Sequence, residues 1–331
     1  MQPTTRVVVI APNLKPDLGW LTDIDPRLNV LGGNELAQDI DSGKTLLEDA
    51  EVILLGYPVP HGIVERAPHL RWVQHTQAGV SNLHGTDLWD SQVMLTSSRG
   101  AVAATGIAEY VMAGAHYFAR GLAEATRQKA AGEFSRSGYG LRALTGATMG
   151  IVGLGGIGAE VARLARAAGM RVVATRRSVT SPKRDAEGVD LLLPADKVAE
   201  LAAASDFVAV CVMLTPATEK LIGAEVLAAM KPHAVLINVA RGEVIDEDAL
   251  IAALQAGRIA GAVLDVYAGE LAGRPPRGEL LELPQVVLTP HISGMGDPAG
   301  DEPVKRLFAE NLHRYLEGEP LLNLVDRSRG Y

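Results

Sequence analysis

Hydrophobic and polar positions along this chain fall into two alternating kinds of segment. Short apolar runs at Val7–Ile10, Val52–Gly56, Trp72–Gln74 and Val93–Thr96 read as strands, and helical patterns such as Asn34–Glu48 lie between them. Near-continuous apolar strands belong to parallel sheets covered on both faces. The first part of the chain therefore predicts a small α/β sheet domain. From Ala103 to Arg127 the apolar positions Ile107, Val111, Ala115 and Phe118 predict one long helix, and Ala130 to Arg142, rich in glycine and serine, predicts a loop.

A second set of apolar runs follows: Met149–Gly153, Arg171–Thr175, Asp206–Val212, Ala234–Ala240, Ile259–Val266 and Val286–Thr289. Helical stretches such as Asp196–Ala204 and Asp246–Gln255 separate most of them. Six strands is the number in a doubly wound nucleotide-binding sheet. The last helical pattern, Pro303–Glu317, is expected to return the chain to the first domain. The expected division is a discontinuous substrate-binding domain, 1–102 with 296–331, around a dinucleotide-binding domain, 103–295.

The first run of that second set changes the picture. Thr148-Met-Gly-Ile-Val-Gly-Leu-Gly-Gly-Ile-Gly158 places Gly153, Gly155 and Gly158 at G-x-G-x-x-G spacing between a strand and an amphipathic helix carrying Ile157, Val161, Leu164 and Ala168. Gly169 ends the helix and Arg171–Thr175 completes a βαβ unit. In such a unit the first glycine permits the turn, the second admits a pyrophosphate to the backbone, and the third lets the helix pack closely on the strand. Gly153, Leu154, Gly155, Gly156, Ile157 and Gly158 are thus expected to hold a dinucleotide at a helix N-terminus. A glycine triplet alone would also suit a plain tight turn.

Composition narrows the partners. The chain has 331 residues, 47% hydrophobic and 21% charged, with a net charge of −8. This is ordinary for a globular protein and contrary to the basic face that nucleic acid requires. The single cysteine, Cys211, excludes an intramolecular disulfide, and no Cys/His spacing suggests a metal site. Its place in an apolar run reads as a packed thiol. The apolar run near the N-terminus is too short for a signal or membrane segment, so a cytoplasmic protein without a membrane partner is expected.

Candidate chemistry sits just past the carboxyl ends of the last three predicted strands, at Arg241, Glu270 and His291. Open α/β sheets hold ligands at that edge. Taken singly, each residue has a structural reading as a turn cap, a loop acid or a packed histidine. Taken together they form a reacting set. An imidazole can exchange a proton with an alcohol, a neighbouring carboxylate fixes its tautomer and favours the protonated ring, and a guanidinium offers a fork for a carboxylate. In the first domain, Gly56-Tyr-Pro-Val-Pro60 and Gln77-Ala-Gly79 follow strands and are substrate-loop candidates, or plain turns.

With these residues in view, the sequence resembles the D-isomer-specific 2-hydroxyacid dehydrogenases. The resemblance runs through most of the chain and is carried by Leu144-Thr-Gly146, the glycine loop, Leu214-Thr-Pro-Ala-Thr218, Met230-Lys-Pro232, Ile237-Asn-Val-Ala-Arg-Gly-Glu-Val-Ile-Asp246, Leu264-Asp-Val-Tyr267 with Glu270, and Leu288-Thr-Pro-His-Ile-Ser-Gly294. It implies two doubly wound parallel-sheet domains, a Rossmann cofactor domain and a smaller flavodoxin-like one, with hinge closure over the substrate. It implies a catalytic set of Arg241, Glu270 and His291, with the substrate carboxylate held by Arg241 and by backbone near Ala78 and Gly79. It further implies that Cys211, Val212, Met213, Thr218, Val239, Ala240, Asp265 and Gly294 line the cofactor, Asp265 near the nicotinamide carboxamide.

Glyoxylate, hydroxypyruvate, phosphoglycerate or a related acid is the substrate so implied, and a homodimer through the long helix is the expected assembly. A dinucleotide-binding scaffold or corepressor on the same fold is the alternative, since fold alone does not fix function. Glu270 argues against the formate dehydrogenase branch, where a glutamine replaces the acid. Leu271 stands where a proline usually follows that acid, and Met213 replaces another common proline. At the end of the second strand, Thr175, Arg176 and Arg177 stand where an acid would bind the ribose 2′-hydroxyl of NAD. The two arginines suit a 2′-phosphate, so NADP is expected to be preferred, or at least accepted alongside NAD. Otherwise they are solvated and NAD binds without the acid.

Overall fold

The computed structural model describes residues 4–12, 14, 18–32, 47–100, 104–297 and 299–330. The chain divides into two compact units, 1–102 with 298–331, and 103–297. Most of the expected helix Asn34–Glu48 lies outside the described residues. No helix among them is long and apolar enough to cross a membrane.

In the first unit, β1 (Thr5–Ile10), β2 (Leu28–Gly32), β3 (Val52–Leu55), β4 (Trp72–His75) and β5 (Met94–Ser97) form an all-parallel sheet in the order β2-β1-β3-β4-β5. This is the flavodoxin-like doubly wound order. Strand β2 is an addition to the four expected strands. It is a half-buried edge that pairs only with β1, so its apolar signal is weak. Alternate residues of the inner strands feed two cores. Val8, Ile10, Ile53, Leu55, Val73 and Leu95 face one side, and Val7, Val9, Leu54 and Trp72 face Phe308 and Leu312 of the terminal helix Glu302–Glu317 on the other. The tail beyond that helix bridges back to β5 at Leu324, opposite Thr96.

The second unit carries β6 (Thr148–Val152), β7 (Arg171–Arg176), β8 (Lys183–Ala186), β9 (Val189–Pro194), β10 (Phe207–Val210), β11 (Val235–Asn238), β12 (Gly261–Leu264) and β13 (Val286–Leu288). Their order is β13-β12-β11-β10-β6-β7-β9-β8, parallel except for β8 against β9. Within it, β9-β7-β6-β10-β11-β12 is the 3-2-1-4-5-6 order of the Rossmann fold.

Two strands beyond the six expected are therefore present. β8 is Lys-Arg-Asp-Ala, a charged edge with no apolar alternation. It joins β9 through Glu187-Gly188, both at positive φ (52° and 78°), a hairpin without the usual Asn-Gly or Asp-Gly signal. The expected long helix is also two, Ala104–Ala119 and Leu122–Ala130, broken at Gly121, which takes φ 69°. The apolar period continues across the break, which is why periodicity alone joined them. The first of these helices lies in the unit's core with Ile107, Val111 and Ala115 buried against Met149, Ile151 and Val263.

Candidate active site

Because β6, β10, β11, β12 and β13 are parallel, their carboxyl ends open on one edge of the sheet. The glycine loop leaves β6 there. Gly153 has φ 99°, and a Cβ on it would stand 2.6 Å from Val212 Cγ1. A Cβ on Gly158 would stand 2.3 Å from Gly153 O, so the helix Gly156–Ala167 approaches the loop more closely than any side chain permits. A Cβ on Gly155 or Gly156, by contrast, would meet nothing within 4 Å. That opening lies at the start of a helix with no side-chain cap, an arrangement suited to a pyrophosphate. Thr175 steadies the loop, its Oγ1 accepting from Gly153 N at 3.2 Å and its O from Leu154 N at 2.8 Å. The residues present fit a dinucleotide.

Arg176, at the end of β7, pairs with Glu187 of the β8–β9 turn, and Arg177 beside it is exposed. Cys211 follows β10, and burial pushes its thiol up to about 12, which disfavours the thiolate. The Thr218 hydroxyl donates to Met213 O (2.6 Å) and accepts from Thr215 N (2.8 Å), closing the loop that also carries Val212. Val239 and Ala240 are buried after β11, and Gly294 is exposed after β13.

The three candidate residues follow three neighbouring strands: Arg241 after β11, Glu270 after β12 and His291 after β13. His291 Nδ1 and Glu270 Oε1 stand 2.8 Å apart, the ring 40% and the carboxylate 20% exposed. With Nδ1–H donated to the carboxylate, Nε2 is the nitrogen left to face a substrate. Burial pulls the Arg241 guanidinium below its ordinary value, while the nearby charges of Glu270 and Glu243 oppose that shift. Its Nη1 donates to Ala240 O at 2.7 Å. Asn238 braces the same turn, accepting from Ala240 N and donating to Arg241 O, both at 3.0 Å.

Backbone positions are fixed by acids. Asp265, 1% exposed, accepts at Oδ1 from Thr289 Oγ1 (2.6 Å) and Ile292 N (2.8 Å), and at Oδ2 from Ser293 N (2.9 Å). Its own carbonyl accepts from His291 N at 2.9 Å. His291 stands at φ 55°, a left-handed conformation that costs a side-chain-bearing residue about 1–3 kcal/mol. Hydrogen bonds to a charged acceptor, about 1.5–3 kcal/mol each, offset that cost. The Glu270 loop is held in the same manner, Glu247 Oε1 accepting from Ala268 N (2.7 Å) and Glu243 Oε1 from Gly269 N (2.9 Å). Sequence reading assigned Asp265 to the cofactor and gave Asn238, Glu243 and Glu247 no role. The available signal for Asn238 and Glu243 was their place in the motif around Arg241, and for Glu247 its position directly after that motif.

The other candidate loop lies in the first unit. There β4 ends in His75, buried between Leu55 O (3.0 Å from Nδ1) and Asn82 Oδ1 (3.3 Å from Nε2). Gln77, Ala78 and Gly79 follow half-buried, with Gln77 O accepting from Ser98 N at 2.9 Å. Tyr57 is 48% exposed.

Comparison with known proteins identifies a family. The family profile "D-isomer specific 2-hydroxyacid dehydrogenase, NAD binding domain" matches residues 112–293. Glyoxylate reductase of Korarchaeum cryptofilum is 36% identical over 84% of this chain and 83% of its own. D-3-phosphoglycerate dehydrogenase of Methanocaldococcus jannaschii is 32% identical over 90% of this chain, which spans only 56% of that protein's length. Among solved structures, a D-isomer specific 2-hydroxyacid dehydrogenase from Xanthobacter autotrophicus Py2, in complex with NADPH and MES, is 30% identical with a TM-score of 0.80, covering 99% of this chain and 100% of that one. The chain belongs to the D-isomer specific 2-hydroxyacid dehydrogenase family, whose members are oxidoreductases working with a nicotinamide dinucleotide.

Proposed function

We propose that this chain transfers a hydride between a nicotinamide and C2 of a small D-2-hydroxyacid or 2-oxoacid. The observation that carries the reading is the His291–Glu270 pair on the edge where the glycine loop opens. When bound, the nicotinamide supplies or accepts the hydride at C4. In the reducing direction, as the hydride adds to C2, the carbonyl π electrons move to oxygen, which takes the proton from His291 Nε2. Glu270 holds the ring through Nδ1 and stabilises its charged form. Arg241 binds the substrate carboxylate and polarises the carbonyl.

NADP is the cofactor we favour over NAD. No acid ends β7, Arg176 and Arg177 stand there, and the Xanthobacter relative is described in complex with NADPH. A 2′-phosphate would compete with Glu187 for Arg176. We assign the chain to the cytoplasm, as its lone cysteine suits a reducing compartment.

A homodimer is also proposed. The helix Ala104–Ala119 is largely buried in its own unit, so the contact moves to the segment that follows, where Leu122, Phe134 and Leu141 are exposed. Light scattering should give twice the chain mass, and Phe134→Asp should lower it.

Absorbance loss at the reduced-nicotinamide band with glyoxylate, hydroxypyruvate and phosphohydroxypyruvate tests the reaction. Turnover of at least one acid is expected, with NADPH giving the higher kcat/KM. Absence of turnover with every acid would favour the scaffold reading. A tenfold preference for NADH, about 1.4 kcal/mol, would remove the NADP assignment.

A further inference from the structure

We propose that Tyr110 and Thr289 are positioning residues for His291, forming a hydroxyl relay that ends on Asp265. The inference rests on the reading of His291 as the proton-handling group. Tyr110 lies on the helix Ala104–Ala119, and its hydroxyl is 2.6 Å from Thr289 Oγ1. Thr289 Oγ1 is in turn 2.6 Å from Asp265 Oδ1.

The direction of the relay follows from proton count. A carboxylate can only accept, so the one hydroxyl proton of Thr289 goes to Asp265, and Tyr110 must donate to Thr289. Burial raises the Tyr110 phenol above its ordinary value, the Thr289 bond opposes this, and the Asp265 charge adds to the rise, so it stays a donor. The same Asp265 oxygen that takes the Thr289 proton accepts from Ile292 N, and its other oxygen accepts from Ser293 N, the two residues directly after His291. On the near side, Thr289 O accepts from His291 N at 3.0 Å. Thr289 thus contacts the histidine backbone directly and also orients the carboxylate that holds the next two amides. Tyr110 ties this strap to a buried helix, and a Phe at that position would fill the same space without fixing the threonine rotamer.

The test uses Tyr110→Phe, Thr289→Val, Thr289→Ser and the double variant Tyr110→Phe/Thr289→Val in the full chain. Two readouts are needed: steady-state kinetics with the best 2-oxoacid, and hydrogen exchange of the Ile292 and Ser293 amides. Tyr110→Phe is expected to lower kcat about three- to tenfold, with substrate KM and NADPH Kd within about twofold, and to speed exchange at both amides. Thr289→Val should cost more, Thr289→Ser should restore both readouts, and the double variant should match Thr289→Val, because Tyr110 acts only through Thr289. Unchanged exchange and kcat in Tyr110→Phe, or effects that multiply in the double variant, would overturn the relay. If the wild type turns over no 2-oxoacid, the functional reading fails, and amide exchange in the same variants still decides the relay.

Discussion

The loops that carry His291 and Glu270 meet at one hydrogen bond, yet they are held differently. The His291 loop hangs from a single acid, Asp265, which is almost wholly enclosed and takes a hydroxyl and two backbone N–H groups. It contains a non-glycine residue at positive φ, so its conformation exists only because its surroundings impose it. The Glu270 loop hangs from two partly exposed acids, Glu243 and Glu247, each taking one N–H, and glycine supplies its awkward positions. Gly269 holds φ 89°, and Gly242 lies so close beneath that a Cβ would stand 1.9 Å from the Tyr267 carbonyl carbon. His291, the group proposed to move the proton, is fixed by buried polar contacts. Glu270, its partner, rests on steric fit and on softer, solvent-touching bonds.

Substitutions can break each half of that contrast. The largest effect is expected at Asp265→Asn, which keeps the shape but turns one acceptor oxygen into a donor facing N–H or O–H groups. Thermal or urea unfolding should show a loss of about 3 kcal/mol, and kcat should fall at least tenfold. A variant as stable and active as the wild type would remove Asp265 from the centre of the account. Next is Gly242→Ala, whose methyl must push the Tyr267–Ala268 backbone aside at a cost of about 1–3 kcal/mol. Its kcat should fall while NADPH affinity, measured by fluorescence, holds.

The smallest effect is expected at Glu247→Gln, which keeps an oxygen for Ala268 N. Burial raises the Glu247 pKa in the folded chain, with the Ala268 bond opposing. A raised acid binds its proton more tightly when folded, so its contribution to stability is lost as pH rises from the unfolded value through the folded one. Glutamine lacks that loss. The melting temperature of the variant relative to wild type should therefore climb between pH 4 and pH 7.5. A difference that shrinks over this range would mean that the carboxylate is favoured by the fold.

Much of the edge chemistry was legible because it depends on local pattern. Apolar runs mark β6 and β10 to β13, and parallel pairing then puts whatever follows them on one edge, which is how Arg241, Glu270 and His291 could be grouped before any coordinates. The glycine loop is a contiguous motif whose spacing states its geometry. What stayed hidden depends on contacts between distant segments. Asp265 looks like any acid after a strand until Thr289, Ile292 and Ser293 are folded over it. Glu243 reads as one position of the motif around Arg241, and Glu247 as the first turn of the helical stretch Asp246–Gln255. The β8–β9 hairpin escaped because its outer strand is charged and its turn is Glu-Gly, and the break at Gly121 escaped because apolar spacing carries on through it.

The central claim is that His291 passes the proton that accompanies hydride transfer. Stopped-flow oxidation of bound NADPH by glyoxylate, or by whichever 2-oxoacid the panel selects, compares wild type with His291→Asn most directly. The account predicts a single-turnover rate about 10²- to 10⁴-fold lower in the variant, with NADPH affinity unchanged. A variant rate within about threefold of wild type would contradict it.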